Sequence, residues 1–308
     1  MLECVPNVSE GRDLAVLDRL SAACGQSLVD LHHDADHHRS VFTLAGPGPR
    51  ASEGALRQLA RSVAISIDMH DHDGIHPRLG ALDVVPFIAL GPTKAEQNRA
   101  VDAAHSFARW WSTAFSVPCF IYDDADEQHQ TLPEIRRRAF RLSEPNYGPS
   151  EPHPTLGATA VGARKPLIAV NCVLLAQDVQ PAYRIARAMR ESDGGLPGVR
   201  ALGFHLDAID RSQVSMNLVD LDQTGIEAAV LHVRELAHSE RTEVTSVEVV
   251  GLLPASELNR CSQDFLQWAK IDADQTIEAR VQQRRLEFEA ASQTPVAQER
   301  VGSTEPPA

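Results

Sequence analysis

One order of elements, written twice with a proline-rich stretch between the copies, constrains this chain more than any single motif. In the first copy, "LECVPN" (2–7) reads as a short strand. A helix follows over 13–24, with Leu14, Leu17, Leu20 and Ala23 on one face. "SLVDLHH" (27–33) and "RSVFTLAG" (39–46) are strands joined by a polar turn. Ser52 is expected to cap a helix running to Met69, and "ALDVVPFIAL" (81–90) is the next strand, with Pro86 predicting an edge position or a bulge. The second copy runs strand 165–174, helix 178–191, strands 199–206 and 213–220, helix 224–237 and strand 243–253.

Each copy is β-α-β-β-α-β, the ferredoxin-like order. The fold expected is α+β, with two ferredoxin-like subdomains in tandem. Two capping boxes extend the first copy. "TKAE" (93–96) opens a helix to 114, before strand 117–122, and "TLPE" (131–134) opens a short basic helix. Residues 143–158, with four prolines and two glycines, read as a linker or a functional segment. The division is placed at 160/161, giving subdomains 1–160 and 161–270. Helices at 255–269 and 273–291 follow, and 271–308 forms a helical extension with a disordered tail.

A net charge of −13 argues against a nucleic-acid partner, yet it leaves room for a local arginine cluster around an anionic ligand. Five scattered cysteines with no CxxC pair suggest buried thiols in a reducing compartment. No secretory signal or membrane-length apolar run is evident, so a cytoplasmic protein is expected, with no membrane partner.

Seven of the thirteen histidines fall in "HHDADHH" (32–38) and "HDHDGIH" (70–76), with four aspartates among them. Such density suits a Zn, Mn or Fe site, but no HExxH or comparable spacing accompanies it. A metal-dependent amidohydrolase is therefore an alternative, against two solvated polar turns. The windows follow related strands and are expected near each other at one sheet end.

Several long stretches together resemble one family: "ECVPNVSEG" (3–11), "HRSVFTLAG" (38–46), "EGALR" (53–57), "IDMHDHDGIHPRLGALDVVPFI" (67–88), "NYGPSEPHPTLGATAVGARKPLIAVNCVL" (146–174), "QVSMNLVD" (213–220) and "VEVVGLLP" (247–254). They are similar to glutamate formimidoyltransferase, the transferase part of formimidoyltransferase-cyclodeaminase. The resemblance covers about residues 2–270. It implies two ferredoxin-like subdomains in tandem with a ligand cleft between them that holds the folate, a homodimer and no metal. The activity implied is transfer of a formimidoyl group from N-formimidoyl-L-glutamate to the co-substrate tetrahydrofolate, in histidine degradation. The roughly 40 residues after the second subdomain are too few for a cyclodeaminase domain, so a transferase-only chain is expected. A formyl donor on the same scaffold, and a non-catalytic folate-binding protein, are further alternatives.

The chemistry needs a group that accepts a proton from folate N5 and returns one to the leaving amine near neutral pH, which suits histidine. The family's catalytic histidine lies in its His-Pro-Arg motif, which places that role on His76, with Arg78 favouring neutral imidazole. Both substrates carry carboxylates, so Arg39, Arg78, Arg164 and Lys165 are candidate partners. "LGATAVGARK" (156–165) matches the folate-binding segment, which implies Gly157, Ala158, Thr159, Val161, Gly162, Ala163, Arg164 and Lys165 as binding residues. Asn7 and Glu10 are expected to line the cleft, and Asp34 and Asp83 to orient or shuttle protons. Two positions depart from vertebrate members, which carry an acidic residue at His32 and asparagine at His38.

Overall fold

A computed structural model describes residues 2–46, 50–74, 77–91 and 93–293, and shows a mixed α+β protein with two sheets. The chain opens with β1 (Leu2–Cys4) and β2 (Asn7–Val8), one strand broken at Val5-Pro6, then α1 (Leu14–Cys24). Asp13 caps α1 by accepting the amides of Ala15 and Val16, and Val16, Leu17, Leu20 and Cys24 form its buried stripe. Next come β3 (Leu28–Asp34), β4 (Arg39–Leu44) and α2 (Ala51–Ser66). Ser52 does not cap α2. The cap position is Arg50, with no side-chain bond, and Ser52 lies buried inside the first turn.

After β5 (Leu82–Ala89), the capping box of Thr93 and Glu96 opens α3 (Lys94–Phe115), leading to β6 (Cys119–Asp123). The second box, Thr131 with Glu134, starts α4 (Leu132–Arg138), and β7 (Thr159–Arg164) ends the first half. The second half is β8 (Ile168–Leu174), α5 (Gln180–Met189), β9 (Val199–Leu206), β10 (Arg211–Leu218), α6 (Ile226–Ser239) and β11 (Val244–Val250). The helix expected over 255–269 is two pieces, α7 (Ala255–Leu258) and α8 (Gln263–Ala269), because Ser262 caps a fresh start. The last element is α9 (Ile277–Gln293). The tail expected to be disordered lies, from 294 on, outside the described residues.

In the first sheet β3 pairs β4, β4 pairs the broken β1/β2 strand, and that strand pairs β5, all antiparallel. β7 then runs parallel between β5 and β6. β5 is thus interior, which corrects the edge position expected for Pro86. The strand does carry a bulge, three residues from Pro86: Asn7 faces Val84 but Val8 faces Leu82, which leaves Asp83 as the extra residue in β5. Pro86 faces the Val5-Pro6 break, where its carbonyl accepts the Val5 amide at 3.1 Å, and the register shifts between Asn7 and Val8. β7 was not foreseen as a strand, and it carries the first sheet to Arg164, past the expected division at 160. The second sheet has the order β11-β8-β10-β9, antiparallel throughout.

The proline-rich segment is an ordered lead-in to β7. Tyr147 pairs with Cys119, and the Leu156 carbonyl accepts the Ala81 amide at 2.9 Å. Gly80 and Gly157 meet back to back, where a Cβ on either would collide with the other strand's backbone. Gly157 also has φ 67°, which glycine adopts at little cost.

Strand alternation sends one face of each sheet into a helix-covered core and the other toward the opposite sheet. Cys4, Phe42, Val85, Phe87 and Val161 pack with α1–α3, and Val170, Cys172, Val214 and Met216 pack with α5, α6 and α8. Ile277 of α9 joins the units by packing with Val29, Ala45 and Leu252. All five cysteines are free thiols, and four are buried. Among the described residues no helix is long and apolar enough to cross a membrane.

Candidate active site

Between the facing sheets lies a cavity of about 820 Å³. Glu3, Val5 and Asn7 line it from the broken strand, Arg39, Val41 and Thr43 from β4, and Val84 and Pro86 from β5. Asn171, Leu202, Phe204 and Asn217 face them from the second sheet. Six arginines reach the wall (Arg39, Arg136, Arg137, Arg164, Arg190 and Arg200) against four acids (Glu3, Asp34, Asp123 and Glu191). The cavity is therefore locally cationic in a chain of net charge −13, and low-dielectric walls focus that field on anions. Burial lowers the Arg39 pKa to about 10, so it stays charged at neutral pH.

The two histidine windows meet beside this cavity, which His32, Asp34 and His37 of the first window line. The His38 and His72 rings lie 4.1 Å apart, and Arg12 bridges the windows through the Ala35 carbonyl (2.8 Å) and Asp73 (2.7 Å). Arg78 is the clamp. Its guanidinium donates to the carbonyls of His37 (2.9 Å) and His38 (3.1 Å) and lies 2.7 Å from His72 Nε2. Desolvation, then the Arg78 charge, lowers the His72 pKa to about 4, so its imidazole is neutral at pH 7. Burial also lowers His37, against the opposing pull of Asp34 at 3.3 Å. Its ring meets Phe204 of the second sheet edge-on at 5.0 Å. Nearby, His32 pairs with Glu248 of β11 at 3.6 Å, a second link between the units. Among the described residues, no three His, Cys, Asp or Glu side chains are arranged to hold a metal ion.

The structure brings some expected site residues together and sets others apart. Asn7, Arg39 and Arg164 line the cavity, as do Asp34 and Pro77. His76 lies outside the described residues. Glu10 instead closes the turn into α1, its carboxylate accepting the amides of Gly11, Arg12 and Asp13 at 2.7–2.9 Å. Asp83 is buried below the floor, held by Arg136 and by the Leu79 amide. Ala158, Thr159, Val161, Gly162 and Ala163 are buried, and the backbone from Thr159 onward is engaged by β5 and β6 on both sides. Thr159 accepts the Trp111 indole N–H at 3.0 Å, and Gly162 leaves room for the Tyr122 ring. Gly157 gives its close approach to Leu79–Gly80, and Lys165 is exposed.

The cavity also contains groups that pattern reading passed over. Glu3 is the notable one, a carboxyl 4% exposed on the wall. Its signal was a charge inside an otherwise apolar strand, at even spacing from Asn7 and hence on the same face. Arg136 and Arg137 sat in the helix noted as basic, while Arg190 and Arg200 are separated from it by a whole subunit of the fold and needed the second sheet to be placed.

The sequence matches two family models end to end. Residues 1–164 match the formiminotransferase domain, N-terminal subdomain, and residues 169–294 match the formiminotransferase domain. Glutamate formimidoyltransferase of Streptococcus pyogenes serotype M1 is 35% identical over 287 residues, covering 88% of this chain and 95% of that protein. The glutamate formimidoyltransferase of Thermoplasma acidophilum is 32% identical over 299 residues, covering 92% and 97%. Formimidoyltransferase-cyclodeaminase of Mus musculus is 36% identical over 279 residues, 84% of this chain but 51% of that protein, so the chain spans about half its length. By both halves of its sequence, the chain belongs to the formiminotransferase family.

Proposed function

We propose that this protein is a glutamate formimidoyltransferase, moving a formimidoyl group from N-formimidoyl-L-glutamate to tetrahydrofolate. The observation that carries the reading is a cationic cavity between two family-matched halves, with Pro77 of the His-Pro-Arg motif on its lining. Each half is read as a ferredoxin-like subdomain, with the division between β7 and β8. A homodimer in the cytoplasm is part of the same reading.

Arg39, Arg164 and their neighbours on the wall bind the carboxylates of donor and folate, and Asn7 supplies a neutral polar contact. The residues of the buried β7 segment, Gly157 to Ala163, support the wall from behind, with Lys165 at its exposed end. Asp83 holds the segment that follows the motif, and Glu10 holds the turn into α1. His76 accepts the proton of folate N5 as that nitrogen attacks the amidine carbon. The tetrahedral intermediate then breaks its bond to the glutamate nitrogen, which takes the proton back from His76 and leaves as the amine. Arg78 keeps nearby imidazoles neutral, as its effect on His72 illustrates.

The test compares the wild type with His76→Ala for turnover and folate binding. The variant is expected to lose about 100-fold or more in kcat while keeping its folate affinity. Near-normal turnover would remove His76 from the proposed role.

A further inference from the structure

Glu3 projects into the cavity from β1 and is 4% exposed. Its carboxyl forms no hydrogen bond or ion pair among the described residues. Its oxygens open onto the cavity rather than onto protein donors, which points to a donor that arrives with the ligand.

The surroundings define that ligand's shape. Glu3 lies opposite Ile88, which lies opposite Arg164, so the three stand side by side across the sheet. The next cavity-facing row holds Val5, Pro86, Gly162 and Tyr122, an apolar strip in which Gly162 contributes no side chain. A flat ring fits along such a strip, and a carboxylate at its end matches two N–H donors on one planar edge.

We propose that Glu3 is the recognition group for the pterin of the folate, accepting its 2-amino and N3–H donors through both carboxylate oxygens. This rests on the formimidoyltransferase reading and deepens it. The amidine of the other substrate carries a similar N–C–N donor pair, but it must sit at the reacting end, beside the His-Pro-Arg motif. Asn7 and Pro77 mark that end. Glu3 stands four residues from Asn7 along the same strand, about 13 Å away at the usual rise per residue. The pterin lies within this interval, with N5 in the ring toward the motif and the donor edge in the ring toward Glu3.

The groups facing Glu3 are Arg164 from β7, Glu278 from α9 and the neighbouring Cys4. Burial, partly offset by Arg164 and reinforced by Glu278, raises the Glu3 pKa to about 7. The acceptor form is the carboxylate, so folate affinity weakens as pH falls below that value.

The experiment measures binding of 5-formyltetrahydrofolate, a stable reduced folate, by calorimetry between pH 6 and 8.5, with steady-state KM values for both substrates. Glu3→Gln is expected to weaken folate binding about tenfold or more, to flatten its pH dependence and to leave the KM of formimidoylglutamate unchanged. Glu3→Asp keeps a carboxylate and is expected to bind between the two with the pH dependence retained. Unchanged folate affinity in a folded Glu3→Gln overturns the inference. So does a rise in the formimidoylglutamate KM alone, which would assign the carboxyl to the amidine. A wild type that binds no folate overturns the functional reading, and this inference with it.

Discussion

Asp83 and Arg136 form a 2.6 Å ion pair beneath the cavity floor, with Asp83 1% exposed. The same carboxylate takes the Leu79 amide at 2.5 Å, so one buried side chain ties α4 to the segment following the His-Pro-Arg motif. Removing one partner of a buried pair leaves an uncompensated charge. Asp83→Ala is expected to lower unfolding free energy by about 3–5 kcal/mol in urea titrations, and Asp83→Asn by less because the amide still accepts from Leu79. A loss below about 1 kcal/mol for Asp83→Ala would mean the pair does not hold the loop.

Arg78 spans two carbonyls with one planar guanidinium, a geometry that lysine cannot reproduce. Arg78→Lys is expected to reduce kcat/KM about tenfold or more, because the two histidine windows lose their clamp. The His72 imidazole pKa, followed by NMR, is expected to stay well below the usual histidine value in the wild type. A lysine variant with wild-type kcat/KM would show that the clamp is dispensable.

Gly80 and Gly157 cross where neither tolerates a Cβ, whereas a Cβ on Gly54 in α2 meets nothing. Gly80→Ala and Gly157→Ala are each expected to destabilise by about 1–3 kcal/mol or more. Gly54→Ala is expected to stabilise by about 0.5–1 kcal/mol, since glycine is a poor helix former. Thermal melts of the three variants check both signs.

Glu3 shapes the pH dependence of stability in the ligand-free protein. Its folded pKa, about 7, lies above the ordinary carboxyl value of 4.5, so the native state holds the proton more tightly than the unfolded chain. Its contribution is fully present below pH 4.5 and is lost as pH rises through about 7, on the order of 3 kcal/mol in all. Glu3→Gln removes the titration. The difference in unfolding free energy between variant and wild type is therefore expected to grow in the variant's favour from pH 4.5 to 7 and then level off.

Local signals were readable where a single element carries its own instructions. The Thr93–Glu96 and Thr131–Glu134 boxes start α3 and α4 where expected, and the buried stripe of α1 follows its apolar spacing. The meeting of the histidine windows was foreseeable because both sit at the same end of related strands. β7 was not readable as a strand. "TAVGAR" offers Thr159 and Val161 as strand formers but interrupts them with Ala160, Gly162 and Ala163, and it is extended because it pairs with β5 on one side and β6 on the other, Gly162 lying under the Tyr122 ring. The cavity wall was legible in part. Asn7, Arg39 and Arg164 lie in recognisable stretches, whereas Glu3 acquires its environment only when Arg164 and Glu278 are brought to it by the fold.

The most direct measurement is turnover of N-formimidoyl-L-glutamate by the purified wild type, with and without tetrahydrofolate. Glutamate and 5-formimidoyltetrahydrofolate are expected in equal amounts, with no consumption of donor when folate is omitted. Hydrolysis of the donor without folate, or tight folate binding with no formimidoyl product at high enzyme concentration, would contradict the assignment.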